Sequence, residues 1–206
     1  MQSVVGRWLS ENCFPAANAW YGPAQLTLYS CLAGAADDGL SGTPVADFGG
    51  QISLLGHTSV PEKIVAGEIL PLTFMWQADT QIPRDYKVFV HLVDGEGRIV
   101  AQRDSEAVGG WRPTTSWHIG ESIRDNHGLL IPESVLAGEY ELIAGLYDAE
   151  GDRLPVRDTL GRVVGDSLPL GTVQVVAPCH CEITQAATER LKYQEAATDE
   201  LAWEDE

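Results

Sequence analysis

The chain alternates most cleanly from Ile69 to Gln77, where Leu70, Leu72, Phe74 and Trp76 fall on one side and Thr73 and Gln77 on the other. Period-2 alternation predicts a strand with one face on a core and the other toward solvent. Two further runs, Tyr86 to Val93 and Gly138 to Asp148, are apolar on both faces, which places them inside a sheet covered on both sides. Asp94-Gly95-Glu96-Gly97 predicts a hairpin loop, with Arg98 to Arg103 as the partner strand. Extended pieces are also expected from Ile52 to Gly56, Ser122 to Asp125, Leu129 to Ile131 and Leu168 to Val176, while Arg157 to Gly165 reads as a polar loop.

Ahead of these strands, Val4, Val5, Trp8 and Leu9 fall at helical spacing, so Ser3 to Asn12 predicts a short helix with Ser3 as its N-cap. Trp20 to Pro23 turns the chain, Ala24 to Leu32 predicts a strand, and the small polar residues from Ala33 to Pro44 mark a linker. From Ile183 a weak helical stripe runs through an acidic tail. The fold class expected is all-β: an antiparallel β-sandwich, Ig-like or jelly-roll-like, with a short N-terminal helix/strand segment and a helical or disordered acidic C-terminal tail. The domain organisation that follows is a helix-strand segment and linker over 1–44, the sandwich over 45–178 and the tail over 179–206.

Composition agrees with that outline, since 21 Gly and 11 Pro in 206 residues suit many turns. Charge narrows the partners. The formal net charge of -17 opposes a phosphate backbone, so neither nucleic acid nor an anionic membrane surface is expected to bind. No apolar run approaches the roughly 18–20 residues that span a bilayer, and the first residues lack an export signal. Direct membrane insertion is therefore not expected, and a role outside the cell implies a fragment of a longer protein.

Catalytic motifs are missing: there is no Gly-x-Ser-x-Gly elbow, phosphate-binding loop or His-Glu-x-x-His pair. We assign no catalytic residue and no cofactor, and expect no enzyme activity. Asp148, Glu150 and Asp152 read as an acidic turn rather than a calcium loop, and His91 as a hydrogen-bonded histidine at the core edge. Cys13 and Cys31 can pair or remain free buried thiols. Cys179-His180-Cys181 lacks the second ligand pair of a structural zinc site, so no metal is assigned there. The binding candidates are Trp111, Arg112, Trp117 and His118, in the long irregular stretch from Asp104 to Glu121. Exposed indoles stack on sugar faces while polar neighbours bond hydroxyls. The competing reading has both Trp rings plugging the open end of the sandwich.

Four strings carry a family resemblance: Lys87-Val88-Phe89-Val90-His91-Leu92, Ala101-Gln102-Arg103-Asp104-Ser105, Gly110-Trp111-Arg112-Pro113-Thr114-Thr115-Ser116-Trp117, and Gly138-Glu139-Tyr140 with Ala144-Gly145-Leu146-Tyr147-Asp148. They resemble the soluble C-terminal β-sandwich of certain bacterial membrane glycosyltransferases, multi-spanning proteins similar to the dolichyl-phosphate-mannose protein mannosyltransferases. Arg7-Trp8-Leu9, Trp20-Tyr21-Gly22 and Leu26-Thr27-Leu28-Tyr29 look like the segment joining membrane part to sandwich. The likeness runs from Arg7 to Val176; the four cysteines, His180 and the tail depart from it.

In that family the transfer chemistry belongs to the membrane-embedded part, which has no counterpart here. The resemblance implies a non-catalytic accessory domain on the extracytoplasmic face of a bacterial membrane. Its partners would be the membrane-embedded portion of a parent protein and an acceptor glycan or polypeptide. The alternatives are a free-standing carbohydrate-binding module and a structural protein-interaction domain.

Overall fold

The computed structural model describes residues 4–31, 40 and 42–178. Its elements in chain order are α1 (Val4–Asn12), β1 (Phe14–Tyr21), β2 (Ala24–Ser30), β3 (Ala46–Phe48), β4 (Ile52–His57), β5 (Lys63–Val65), β6 (Ile69–Ala78), β7 (Lys87–Val93), β8 (Ile99–Glu106), β9 (Ser122–Leu130), β10 (Gly138–Tyr147), β11 (Val156–Arg157), β12 (Val163–Gly165) and β13 (Leu168–Val176). Short 3-10 turns at Ala107–Gly110 and Thr114–Ser116 interrupt the path from β8 to β9.

The main body is an all-β sandwich. One sheet has the order β5-β13-β10-β7-β8, the other β12-β11-β3-β4-β6-β9. All named pairings are antiparallel except that of β13 with β5. The alternation in the sequence explains the core: Leu70, Leu72, Phe74 and Trp76 of β6 face Val88, Val90 and Leu92 of β7 and Leu142, Ala144 and Leu146 of β10, all of them buried. Trp76 stacks on Phe74 at 5.2 Å and meets Phe48 edge-on at 5.4 Å, arrangements that each add about 0.5–1.5 kcal/mol to the burial.

The strands β8 and β9 end their respective sheets at the same side of the sandwich, and this open edge is where the N-terminal segment docks. Helix α1 leads into the hairpin β1-β2, whose base is locked by a disulfide between Cys13 and Cys31. Asn126 of β9 donates to the Glu11 carbonyl at 3.1 Å. Gly128 lets the chains approach closely, since a Cβ there would lie 3.0 Å from Ala16 Cβ and 3.2 Å from the Phe14 carbonyl oxygen.

That docking corrects several sequence expectations. Thr73 was expected to face solvent, but it is fully buried and donates to Asn126 Oδ1 at 2.8 Å. Strand β9 is one continuous element where two pieces were expected, because buried Asp125, Asn126 and His127 find hydrogen-bond partners instead of water. Strand β1 was not anticipated, and β11 and β12 occupy part of the stretch read as a loop. Helix α1 forms as expected but turns Val4, Val5 and Trp8 outward and buries Ser10, whose hydroxyl meets Tyr29 Oη at 3.3 Å. The acidic tail and the Cys179-His180-Cys181 cluster lie outside the described residues.

The disulfide fixes the hairpin that closes the edge, and its sequence separation is 18. Replacing both Cys13 and Cys31 with Ser is expected to cost about 2–4 kcal/mol in urea denaturation, and the same loss should appear when the unmodified protein is reduced.

Candidate functional site

Between the docked hairpin and the β8 edge lies a cleft of about 910 Å³. The hairpin supplies one wall through Asn18, Trp20, Thr27 and Tyr29, which project from one face of the β1-β2 pair. Facing them stand Lys87, Arg103, Ser105, Glu106 and Trp111. A second groove of about 610 Å³, lined by the opposite part of β8 and by Ala16 and Ala17, shares Asn18, Arg103 and Asp104 with the first.

Behind the cleft lies a buried carboxyl group, Asp125. Asp125 Oδ1 accepts the Val108 N–H at 2.7 Å, while Oδ2 accepts the Trp76 indole N–H at 3.2 Å and meets His127 Nε2 at 2.7 Å. His127 Nδ1 lies 3.3 Å from Ser105 Oγ, so a polar chain runs from the cleft into the core. These are the residue types of a hydrolytic relay. Both the imidazole and Asp125 are wholly buried, however, and the carboxyl group is shared with two further donors. What the chain does in the fold is tie β9 to β6, β8 and the turn after β8.

That turn carries strain. Val108 has φ 52° and Gly109 φ 61°, a region that disfavours a β-branched side chain by about 1–3 kcal/mol. The bond from Val108 N–H to Asp125 holds it there. At Gly109 a Cβ would lie 2.9 Å from Ser10 Oγ, so glycine meets both the backbone and the space requirement under α1. The turn delivers Trp111 to the cleft.

The expected binding residues separate at this point. Trp111 is half-buried at the cleft wall. Trp117 is only 4% exposed, packs in the core and donates its indole N–H to the Arg112 carbonyl at 2.9 Å, so it sits where a plug would sit. Arg112 pairs with Glu121 at 2.7 Å, and exposed His118 meets the same carboxylate through Nδ1 at 3.2 Å. None of Arg112, Trp117 or His118 lines the cleft. Sequence reasoning missed Trp20, Tyr29, Arg103 and Ser105 as a group, because they come from three strands distant in the chain.

On the outer face of the same sheet, His91 Nε2 lies 3.0 Å from Asp104 Oδ1, and Tyr147 donates to Asp104 Oδ2 at 3.1 Å. Burial pushes Asp104 up, but the hydrogen bonds from His91 and Tyr147 and the field of Arg153 outweigh it and hold the carboxyl below its ordinary value. Tyr147 is pushed up to about 12, by burial first and then by Asp104. At the acidic turn, Asp148 accepts the N–H groups of Glu150 and Asp152 and pairs with Arg84 at 2.9 Å. Among the described residues no group of three His, Cys, Asp or Glu side chains converges as a metal site requires. Nor is any helix among them long and apolar enough to cross a membrane.

No family model and no curated protein matches the chain. Among solved structures it is similar to the C-terminal domain of Wzt, at 10% identity and TM-score 0.44, over 68% of this chain and 82% of that one. A β-glucosidase from Listeria innocua, in complex with glucose, is similar at 15% identity and TM-score 0.36, over 61% of this chain but 16% of the enzyme. The CARDB domain of a Pyrococcus furiosus protein, in complex with di-metal ions, is similar at 14% identity and TM-score 0.34, over 66% of this chain and 97% of that one. Values this low extend to no ligand and no activity.

Two outcomes follow from the geometry. Asp125→Ala strands the buried donors of Val108, Trp76 and His127 and is expected to lower stability by about 3 kcal/mol or more, read by urea denaturation. Glu121 is held down at about 2, chiefly by the hydrogen bond from Arg112 and then by the His118 backbone N–H. Because the folded value lies below the ordinary 4.5, its stabilisation is full above about pH 4.5 and fades as the pH falls toward 2. The melting temperatures of the unmodified protein and of Glu121→Gln should therefore differ at neutral pH and converge across that window.

Proposed function

We propose that the chain is a non-catalytic accessory β-sandwich that binds glycan in the cleft between its N-terminal hairpin and the β8 edge. The observation that carries this reading is the pairing of aromatic walls: Trp20 and Tyr29 on the hairpin face Trp111 on the sandwich, with charged and hydroxyl groups between them. Sugar rings offer apolar faces to indoles and hydroxyls to such polar groups. Of the residues expected from sequence, Trp111 makes direct contact in this proposal. Arg112 and Trp117 hold the loop that carries it, and His118 stands outside.

Its setting is the extracytoplasmic face of a bacterial membrane, as the outer part of a glycosyltransferase-like protein whose membrane-embedded portion is its partner. The resemblance of the central strings supports this, and so does the Cys13–Cys31 disulfide, since such bonds persist in oxidising compartments. An acceptor glycan held here would be kept near a membrane-embedded transferase without any chemistry in this domain.

Calorimetric titration with neutral and acidic oligosaccharides tests the reading. Trp20→Ala and Trp111→Ala are each expected to weaken binding about tenfold or more while the fold persists, Trp20 being 68% exposed. Trp117→Ala should instead unfold the protein, at a cost of about 3–5 kcal/mol. Absence of binding to every glycan sinks the proposal, and covalent labelling of Ser105 by a serine-directed phosphonate overturns its non-catalytic part.

A further inference from the structure

Arg103 is a charged side chain with an unusual position. It projects from β8 on the same side as Ala101 and beside Val90 of β7, both of them buried, and so toward the inner face of its sheet. It is only 7% exposed, yet it makes no salt bridge or side-chain hydrogen bond among the described residues, and its Nε is buried without a partner. Burial pushes its basicity down, against the fields of Tyr29, Asp104 and Asp125. Buried cations are normally paired, because an uncompensated one is costly. Asp125 would be the natural partner, but its oxygens are already taken by Val108, Trp76 and His127. Asp104 leaves from the opposite face of the strand toward His91 and Tyr147.

Arg103 lines the cleft together with Tyr29 and Ser105. A planar fork of N–H groups in a dry site fits a carboxylate or a phosphate far better than a neutral hydroxyl. Lys87 adds a second positive charge at the same cleft, while Asp104 and the exposed Glu106 add two negative ones. We propose that the cleft selects an acidic saccharide, with the anionic group, a uronate carboxylate or a phosphate ester, seated on Arg103 and the sugar ring against Trp111 or Trp20. This rests on the glycan-binding reading and names the class of glycan.

The experiment titrates oligogalacturonides and hyaluronan tetrasaccharide, each beside its carboxyl-reduced form, and mannose 6-phosphate beside mannose. The acidic member of at least one pair is expected to bind about 10- to 100-fold more tightly, the worth of a hydrogen-bonded charge pair. Which pair shows the preference identifies carboxylate or phosphate. Arg103→Met should abolish that preference, the acidic member losing far more affinity than the neutral one, with Arg103→Lys between the two. Ligand-free Arg103→Met should melt no lower than the unmodified protein, because an unpaired buried charge has been removed; a structural arginine would give the reverse. Equal binding of acidic and neutral members, or a preference that survives Arg103→Met, overturns the inference and leaves the glycan reading standing. Failure of all probes to bind overturns both.

Discussion

The carboxyl group of Asp125 is the point on which the β8–β9 edge of the sandwich depends. It sits on the inner face of a strand, where an isolated polar group would cost several kcal/mol, and each of its contacts ties down a different element. Through Trp76 it joins β6, through His127 and Ser105 it reaches β8, and through the Val108 N–H it holds a backbone conformation that valine does not choose. Fixing that turn sets the path of the following residues, so Trp111 faces the cleft rather than solvent.

The N-terminal segment completes what Asp125 begins. Two packed sheets leave an open side at β8 and β9, and unpaired edges are otherwise exposed to wrong pairing. Helix α1 and the β1-β2 hairpin cover it through close backbone approaches at Gly128 and Gly109 and through the Asn126 bond to Glu11. The hairpin does not lie flush along its whole length. Trp20 and Tyr29 of the hairpin and Arg103 and Trp111 of the sandwich line the space left between them, which is the cleft. Site and scaffold thus share one cause.

The sequence made the frame legible because strands that are apolar on alternate residues, or on both faces, announce themselves without knowledge of their neighbours. Leu70 to Trp76, Tyr86 to Val93 and Tyr140 to Leu146 are of this kind, and their inward residues are core, although the second face of the last strand, expected to be covered, leaves Glu141 exposed and Ile143 half-buried. Strand β9 hid because Ile123, Asp125, His127 and Leu129 do alternate onto one buried face, but two members are polar and break an apolar count. Strand β1 hid behind Pro15 and three alanines, and the outward face of α1 reversed the usual inference from an apolar stripe. The cleft could not be read at all. Trp20, Arg103 and Trp111 meet only after the hairpin docks, and no local pattern distinguishes Arg103 from an ordinary solvent-facing strand residue.

The acidity of the chain bears on what such a cleft can discriminate. With a net charge of -17, the long-range field repels anions, so Arg103 cannot act by drawing them in. Salt screens that repulsion over roughly 8–10 Å, whereas a contact inside a buried site is screened much less. Any selectivity of Arg103 is therefore a short-range property of a desolvated, fixed donor array, made before the ligand arrives and needing little rearrangement to be used. If the cleft binds as proposed, a compact anionic group would meet the guanidinium at contact distance, whereas a polyanion would meet first the field of the whole acidic chain. Burial of the cation within an acidic protein would then separate those two classes by size and depth rather than by charge alone.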